Sequence, residues 1–194
     1  MAAHVTKIWL GLHGHLEISS HPTNEYHYPY TVSFSVRAFQ DWEELRDLRI
    51  HALADSPEWF AARIEVESAR NSEDWKKELE TAHWRLIADG NNTAGMMAVS
   101  KAEPLRDADC WLFGCWIAPE FRGQGVMTVI IDELDQICRT EGWEKQGLGV
   151  WPNNERAIRA YKKYGFYEGG EPRPSRSRPE QLYIPMFRHL PKPQ

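Results

Sequence analysis

The chain has 194 residues, 42% apolar and 26% charged, with a formal net charge of −5 and an isoelectric point near 5.9. These values fit one folded domain with a full core. They argue against nucleic acid as a partner, because phosphate binding wants a basic face. No apolar run approaches the roughly 18 residues that span a bilayer, so no membrane partner is expected. No basic start followed by an apolar stretch opens the chain, and a secretory signal is not expected. The cysteines Cys110, Cys115 and Cys138 have no CxxC spacing and sit among hydrophobic residues, which reads as buried core thiols in a reducing cytoplasm.

Residues 1–29 hold five of the eight histidines, His4, His13, His15, His21 and His27. His13-Gly14-His15 lacks further ligands at fixed spacing, so a loosely ordered extension is expected there and no metal. The folded domain is expected over residues 30–190. Its first strand reads from the β-branched and aromatic residues 31–39. Asp41 can cap a helix that carries Trp42, Leu45, Leu48 and Leu53. Ser56-Pro57 breaks it, and Pro57 suits the first turn of a second helix. Asn71 or Ser72 can cap a further helix to about Thr81. Glu65, Glu67, Glu73, Asp74, Glu78 and Glu80 make this region acidic, which reads as a solvated helix face.

Residues 84–88 and 93–99 read as a hairpin around Asp89-Gly90-Asn91-Asn92. Residues 110–117 have almost no polar face and are expected centrally in a sheet. Val126, Val129, Ile130, Leu134, Ile137 and Cys138 then share one helix face. Residues 148–151 form another strand. Asn153 or Asn154 caps a helix with Ala157, Ile158, Tyr161 and Tyr164 on one face, stopped by Gly165. Phe166 and Tyr167 open a strand, residues 171–180 are a Pro/Arg/Ser loop, and residues 181–188 close the domain.

The chemistry concentrates between the strand at 110–117 and the following helix, at Pro119-Glu120-Phe121-Arg122-Gly123-Gln124-Gly125-Val126-Met127. Glycines there let backbone approach a ligand, and free amides at a helix start suit a phosphate or pyrophosphate. The plain alternative is a tight turn with nothing bound. Neither rival phosphate loop fits: Gly-x-x-x-x-Gly-Lys-Ser/Thr is absent, and a dinucleotide fingerprint would need glycine where Thr128 stands.

Arg122-Gly123-Gln124-Gly125-Val126-Met127 resembles the pyrophosphate loop of the GNAT superfamily N-acetyltransferases, Arg/Gln-x-x-Gly-x-Gly/Ala. Asn154, Ala157, Tyr161, Gly165 and Phe166 match the spacing of their second signature, Asn-x-x-Ala-x-x-x-Tyr-x-x-x-Gly-Phe. Residues 45–60 read like the first helices of many bacterial members, so the resemblance covers about residues 31–188. It departs at Met127, where glycine or alanine is usual, although the backbone amide that the loop uses is retained.

The resemblance implies a mixed α/β fold: a largely antiparallel sheet with a splayed parallel strand pair, flanked by helices. It implies acetyl-CoA as cosubstrate, with the pantetheine arm along Trp116, Ile117 and Ala118. The pyrophosphate would lie on Arg122, Gly123, Gln124, Gly125, Val126 and Met127, with Asn154 and Tyr161 at the pantetheine and thioester. Tyr161 is then the general acid for the leaving thiolate, as a phenol at that position can donate its proton. The base is open among Glu120, Glu65, Glu67, His83 and a water, and Cys115 as acyl carrier is disfavoured. The implied function is acetyl or short-acyl transfer to a primary amine of a small molecule. Protein amines as acceptors, or a non-catalytic acyl-CoA-binding module, are the alternatives. The expected partners are acetyl-CoA and an amine acceptor, with homodimerisation left open. Arg173, Arg176 and Arg178 read either as contacts to an acidic substrate group or as a solvated loop.

Overall fold

The computed structural model describes residues 33–190. The expectations for residues 1–29, and the first residues of the strand expected from position 31, fall outside that range. Strand β1 is Phe34–Ala38 and helix α1 is Trp42–Asp55. Asp41 caps α1 by accepting from the Glu44 amide at 2.8 Å. After α1 come α2 (Ile64–Ser68) and α3 (Ser72–Thr81). At the start of α3, Asn71 and Asp74 each accept from the other's backbone amide, a reciprocal capping box.

The second helix does not begin at Pro57. Residues 57–59 make a single turn closed by Trp59 N–H on the Ser56 carbonyl. The carbonyls of Pro57 and Ala61 accept instead from the Arg178 guanidinium, at 3.3 and 3.2 Å. A carbonyl held by a distant side chain is drawn away from the axial ladder that continues a helix.

Strands β2 (His83–Asp89) and β3 (Asn92–Lys101) form the expected hairpin, with Asp89 opposite Asn92 and Gly90 at φ +57° in the turn. Next are β4 (Cys110–Ile117), α4 (Val126–Thr140), β5 (Lys145–Val150) and α5 (Glu155–Lys163). The chain ends with β6 (Tyr167–Glu168), β7 (Arg173–Pro174) and β8 (Leu182–His189). The sheet order is β1-β2-β3-β4-β5-β8-β6, and β7 pairs with the start of β8. Thus residues 171–180 are not wholly loop. β4 is central, as its apolar character requires, and the β4–β5 pairing is parallel while the others are antiparallel.

Two cores cover the two faces of the sheet. Strand periodicity assigns residues to them: Met97 and Val99 join α4 and α5, while Met96 and Ala98 join α1 and α3. The α4 face holds Ile130, Ile131, Leu134 and Cys138, all almost completely buried. The α1–α3 face holds Leu45, Leu53, Trp75 and Trp84. Cys110 and Cys138 are buried together, with sulfurs 3.5 Å apart as free thiols. Among the described residues no helix is long and apolar enough to cross a membrane.

Candidate active site

β4 and β5 pair only at Cys110–Gln146 and Trp111–Gly147. Beyond those positions the strands diverge, and a cleft of about 430 Å³ occupies the gap. Its walls come from both faces of the sheet: Asn154, Ala157 and Tyr161 of α5 on one side, Arg49, Glu67, Trp75 and Glu78 of α1–α3 on the other.

A bulge in β4 sets which side chains enter this gap. Phe113 lies opposite Ala98 and Trp116 opposite Met96, so Gly114 and Cys115 together face the single residue Met97. Gly114 is at φ +68°, and a Cβ there would lie 2.4 Å from the Trp84 ring. The extra residue shifts the alternation by one. Phe113 belongs to the α1–α3 core, whereas Cys115 is turned to the α4–α5 core beside Tyr161.

Tyr161 is 9% exposed and lines the cleft, with its ring edge-to-face against Phe166 at 5.7 Å. Its hydroxyl and the Cys115 thiol are hydrogen-bonding neighbours. Burial, reinforced by Cys115, pushes the phenol well above its ordinary value. The Cys115 thiol is itself raised to about 11 by burial. Both groups are therefore protonated at neutral pH. Asn154 caps α5 by accepting from the Ala157 amide at 3.0 Å and also lines the cleft, to which its side-chain NH2 can be offered.

The loop from Arg122 to Met127 does not line this cleft. Gly123 and Gly125 are at φ +86° and +90°, and a Cβ on either would meet nothing within 4 Å. Backbone conformation, not crowding, therefore demands glycine at both. Gly125 is the N-cap of α4, so the amides of Val126 and Met127 stand in the first turn, where no helical carbonyl precedes them. Gln124 folds back, its amide onto the Phe121 carbonyl and its side chain onto the Glu120 carbonyl. The Met127 side chain leaves the loop: it packs into the α4–α5 core, where its sulfur accepts from the Cys115 thiol at 3.9 Å. Methionine is accommodated at this position without occupying the outer face of the loop.

The Arg122 side chain also turns inward, and this was not legible in the motif. It donates to the Ile117 carbonyl at 2.9 Å and to Asp55 at 2.8 Å. Asp55 further accepts from the Ser56 hydroxyl and from the Trp116 indole at 2.9 Å. These bonds, the Ser56 hydroxyl foremost, hold the Asp55 carboxyl below its ordinary value. Asp55 thus fastens the end of α1 to the end of β4 and to the glycine loop. Of the three residues expected along the pantetheine, Ala118 has its amide bonded to Ala94 at 3.0 Å, so that donor is spent. In the alternating ladder, a paired Ala118 turns the backbone of Ile117 toward β5. The Ile117 carbonyl is held by Arg122, which leaves the Ile117 amide as the ladder-competent group on that edge.

The base candidates separate by position. Glu67 lines the cleft, whereas Glu65, Glu120 and His83 do not. His83 lies 3.3 Å from Glu141 and edge-on to Trp143. Glu78, read from sequence as part of a solvated face, lines the cleft as well. Glu67 and Glu78 both pair with Arg70, at 2.9 and 3.2 Å. The arginines after β6 make contacts within the protein: Arg176, which also lines the cleft, pairs with Glu103 through two bonds, Arg173 donates to the Leu105 carbonyl, and Arg178 holds residues 57 and 61.

A family model described as the Acetyltransferase (GNAT) family matches residues 42–166. Two Bacillus subtilis (strain 168) proteins named as uncharacterized N-acetyltransferases are similar in sequence. YdgE is 29% identical over 85 residues, 43% of this chain and 53% of that protein. YycN is 26% identical over 93 residues, 46% of this chain and 60% of that protein. The matched region thus spans between half and two thirds of each relative's length. Solved structures with the same fold include Ard1 from Thermoplasma volcanium, with a TM-score of 0.65 and 20% identity over 83% of this chain and all of that one. A GNAT-family acetyltransferase from Streptococcus pneumoniae gives 0.64 and 16% over 82% of this chain and all of that one. With both signatures in the expected frame and the family match running from α1 to the end of α5, this chain belongs to the GNAT acetyltransferase family.

Proposed function

We propose that this protein transfers an acetyl or short acyl group from acyl-CoA to a primary amine of a small molecule, by direct attack in a ternary complex. The observation that carries the reading is a buried, protonated Tyr161 hydroxyl in a cleft walled from both faces of the sheet. Donor and acceptor can then enter from opposite sides and meet at the gap. The volume of about 430 Å³ falls in the range of small-molecule pockets.

In this scheme the neutral amine attacks the thioester carbonyl, a new N–C bond forms, and the C–S bond breaks. The Tyr161 hydroxyl gives its proton to the departing thiolate, a contribution of typically about 10²–10⁴-fold. Glu67, directly or through water, receives the proton lost by the amine. The Ile117 amide supports the pantetheine edge, and the amides of Val126 and Met127 with the start of α4 receive the pyrophosphate. A Cys115 thiol raised to about 11 is a poor nucleophile at neutral pH, which supports direct transfer over an acyl-cysteine.

The test is thermal unfolding with and without millimolar acetyl-CoA, followed by thiol release with panels of amines and peptides. Acetyl-CoA should raise the melting temperature more than adenine nucleotides do, because it binds only the folded state. Gly125→Asp should abolish that rise, since it strains a residue at φ +90° and puts negative charge beside the pyrophosphate. Normal acetyl-CoA binding by that variant would show that the loop is assigned wrongly.

A further inference from the structure

The α1–α3 wall of the cleft contains a cation with no hydrogen-bond acceptor on one arm. Arg49 is 8% exposed, lines the cleft, and its Nη1 has no partner. A buried donor left without an acceptor is costly, and arginine cannot shed the charge. The guanidinium is held over the rings of Phe60 and Trp84, 4.8 and 5.7 Å from their centroids. Glu67 and Glu78 favour its charge through space but give this arm no hydrogen bond, and both are engaged by Arg70. Trp75 repeats the pattern: it is 1% exposed, lines the same cleft, and its indole Nε1 has no partner. Among the described lining residues there are four arginines and two glutamates, although the whole chain is acidic.

We propose that the acceptor carries a carboxylate as well as its amine, and that Arg49, with the Trp75 indole, is the group that receives it. This rests on the acyl-transfer reading above. A guanidinium fork suits the two oxygens of a carboxylate, and clamping by aromatic rings fixes its direction in advance. A phosphate dianion fits less well, because Glu67 and Glu78 border the same wall and repel the second charge. The aromatic residues Trp59, Phe60, Trp84 and Phe113 line the same cleft, Phe60 and Trp84 directly against the arginine, and call for an apolar or aromatic body between carboxylate and amine. Arg49 is thus an acceptor-binding residue; it takes no part in the bond changes.

The experiment compares matched acceptors: phenylalanine against phenethylamine and tryptophan against tryptamine, with acetyl-CoA, following thiol release. The wild type should favour the carboxylate-bearing member of a pair by about 10- to 100-fold in kcat/KM, the scale of a hydrogen bond to a charged group. In Arg49→Gln that ratio should collapse toward one, mainly through KM for the amino acid, and Arg49→Lys should keep part of it. If Arg49→Gln does not fold, the wild type still decides. 3-Phenylpropanoate, which has no amine, should compete with the acceptor, and 3-phenylpropanamide should not. Faster turnover of the decarboxylated amines, equal turnover, turnover of neither, or a ratio unchanged in Arg49→Gln overturns the proposal. Loss of the acetyl-CoA melting shift in the wild type would instead overturn the acyl-transfer reading beneath it.

Discussion

Tyr161 and Cys115 come from distant parts of the chain and meet because one glycine displaces the register of β4. Tyr161→Phe keeps the ring against Phe166 and removes only the hydroxyl, so the fold should survive. Turnover should fall by about 10- to 10³-fold, below the full general-acid range because water can substitute. Acetyl-CoA affinity should change little, since the lost contact strengthens in the transition state. The phenol is held well above its ordinary value, so the donor form persists into alkaline solution. In the wild type kcat should therefore show no alkaline decline below about pH 10, the unperturbed tyrosine value. Tyr164 is the control: its hydroxyl bonds to Thr128 at 2.9 Å outside the cleft, and its Phe variant should be nearly unaffected. Wild-type turnover in Tyr161→Phe, with chemistry rate-limiting, would end the assignment. Tyr161 and Asn154, which both line the cleft, were legible in the sequence through the resemblance to the second signature; helix periodicity alone places Tyr161 on an apolar face with Ala157, Ile158 and Tyr164. Asp55 and Arg49 were not, because their meaning lies in partners far along the chain. Asp55 and Arg122 are 67 positions apart, and no local pattern joins them.

At the scale of elements, caps and apolar alternation predicted α1, α3, the β2–β3 hairpin, α4 and α5, because those signals act within a few residues. The helix at Pro57 failed, since its carbonyls are claimed by an arginine 121 positions away. β7 is not legible in the sequence, because two residues carry no periodicity and only pairing with β8 defines them. The bulge was equally invisible: Gly114 in an apolar strand reads as a small core residue until its pairing is known. Gly114→Ala should cost about 2–4 kcal/mol, from a left-handed backbone together with a methyl group driven into the Trp84 ring. Denaturant unfolding measures that loss. If the strand answers by expelling the bulge, Cys115 changes faces and Tyr161 loses its neighbour, so activity should fall further than stability. An unaltered midpoint with full activity would show that the bulge is not needed.

For the domain as a whole, the proposed transfer needs a pair of strands joined at one end and open at the other, and β4 and β5 have that form. The joined end is fastened twice. Gln146 and Arg188 meet Asp135 in a buried network that also reaches the Tyr164 carbonyl, tying α4, α5, β5 and β8 together. Just before β4, one Asp109 oxygen accepts from the amides of Glu144 and Lys145 at 2.9 and 2.8 Å, locking the start of β5 against β4. Those two backbone donors, Lys145 first, hold the Asp109 carboxyl below its ordinary value. The folded state therefore prefers the charged form. The resulting stability is present above the unfolded carboxyl value of about 3.9 and is lost as pH falls through the lower folded value. Asp109→Asn separates charge from geometry, because the amide oxygen can still accept both bonds. Near neutral pH its unfolding midpoint should lie below that of the wild type, because the stabilisation tied to the charged carboxyl is fully present there, and the gap should close as pH falls through the folded value. As pH falls below about 4, the wild-type midpoint should decline more steeply than that of the variant. Parallel declines in the two proteins would assign acid sensitivity to other depressed carboxyls, such as Glu44 beside Arg37 and Glu103 beside Arg176, and not to the clasp at the closed end of the cleft.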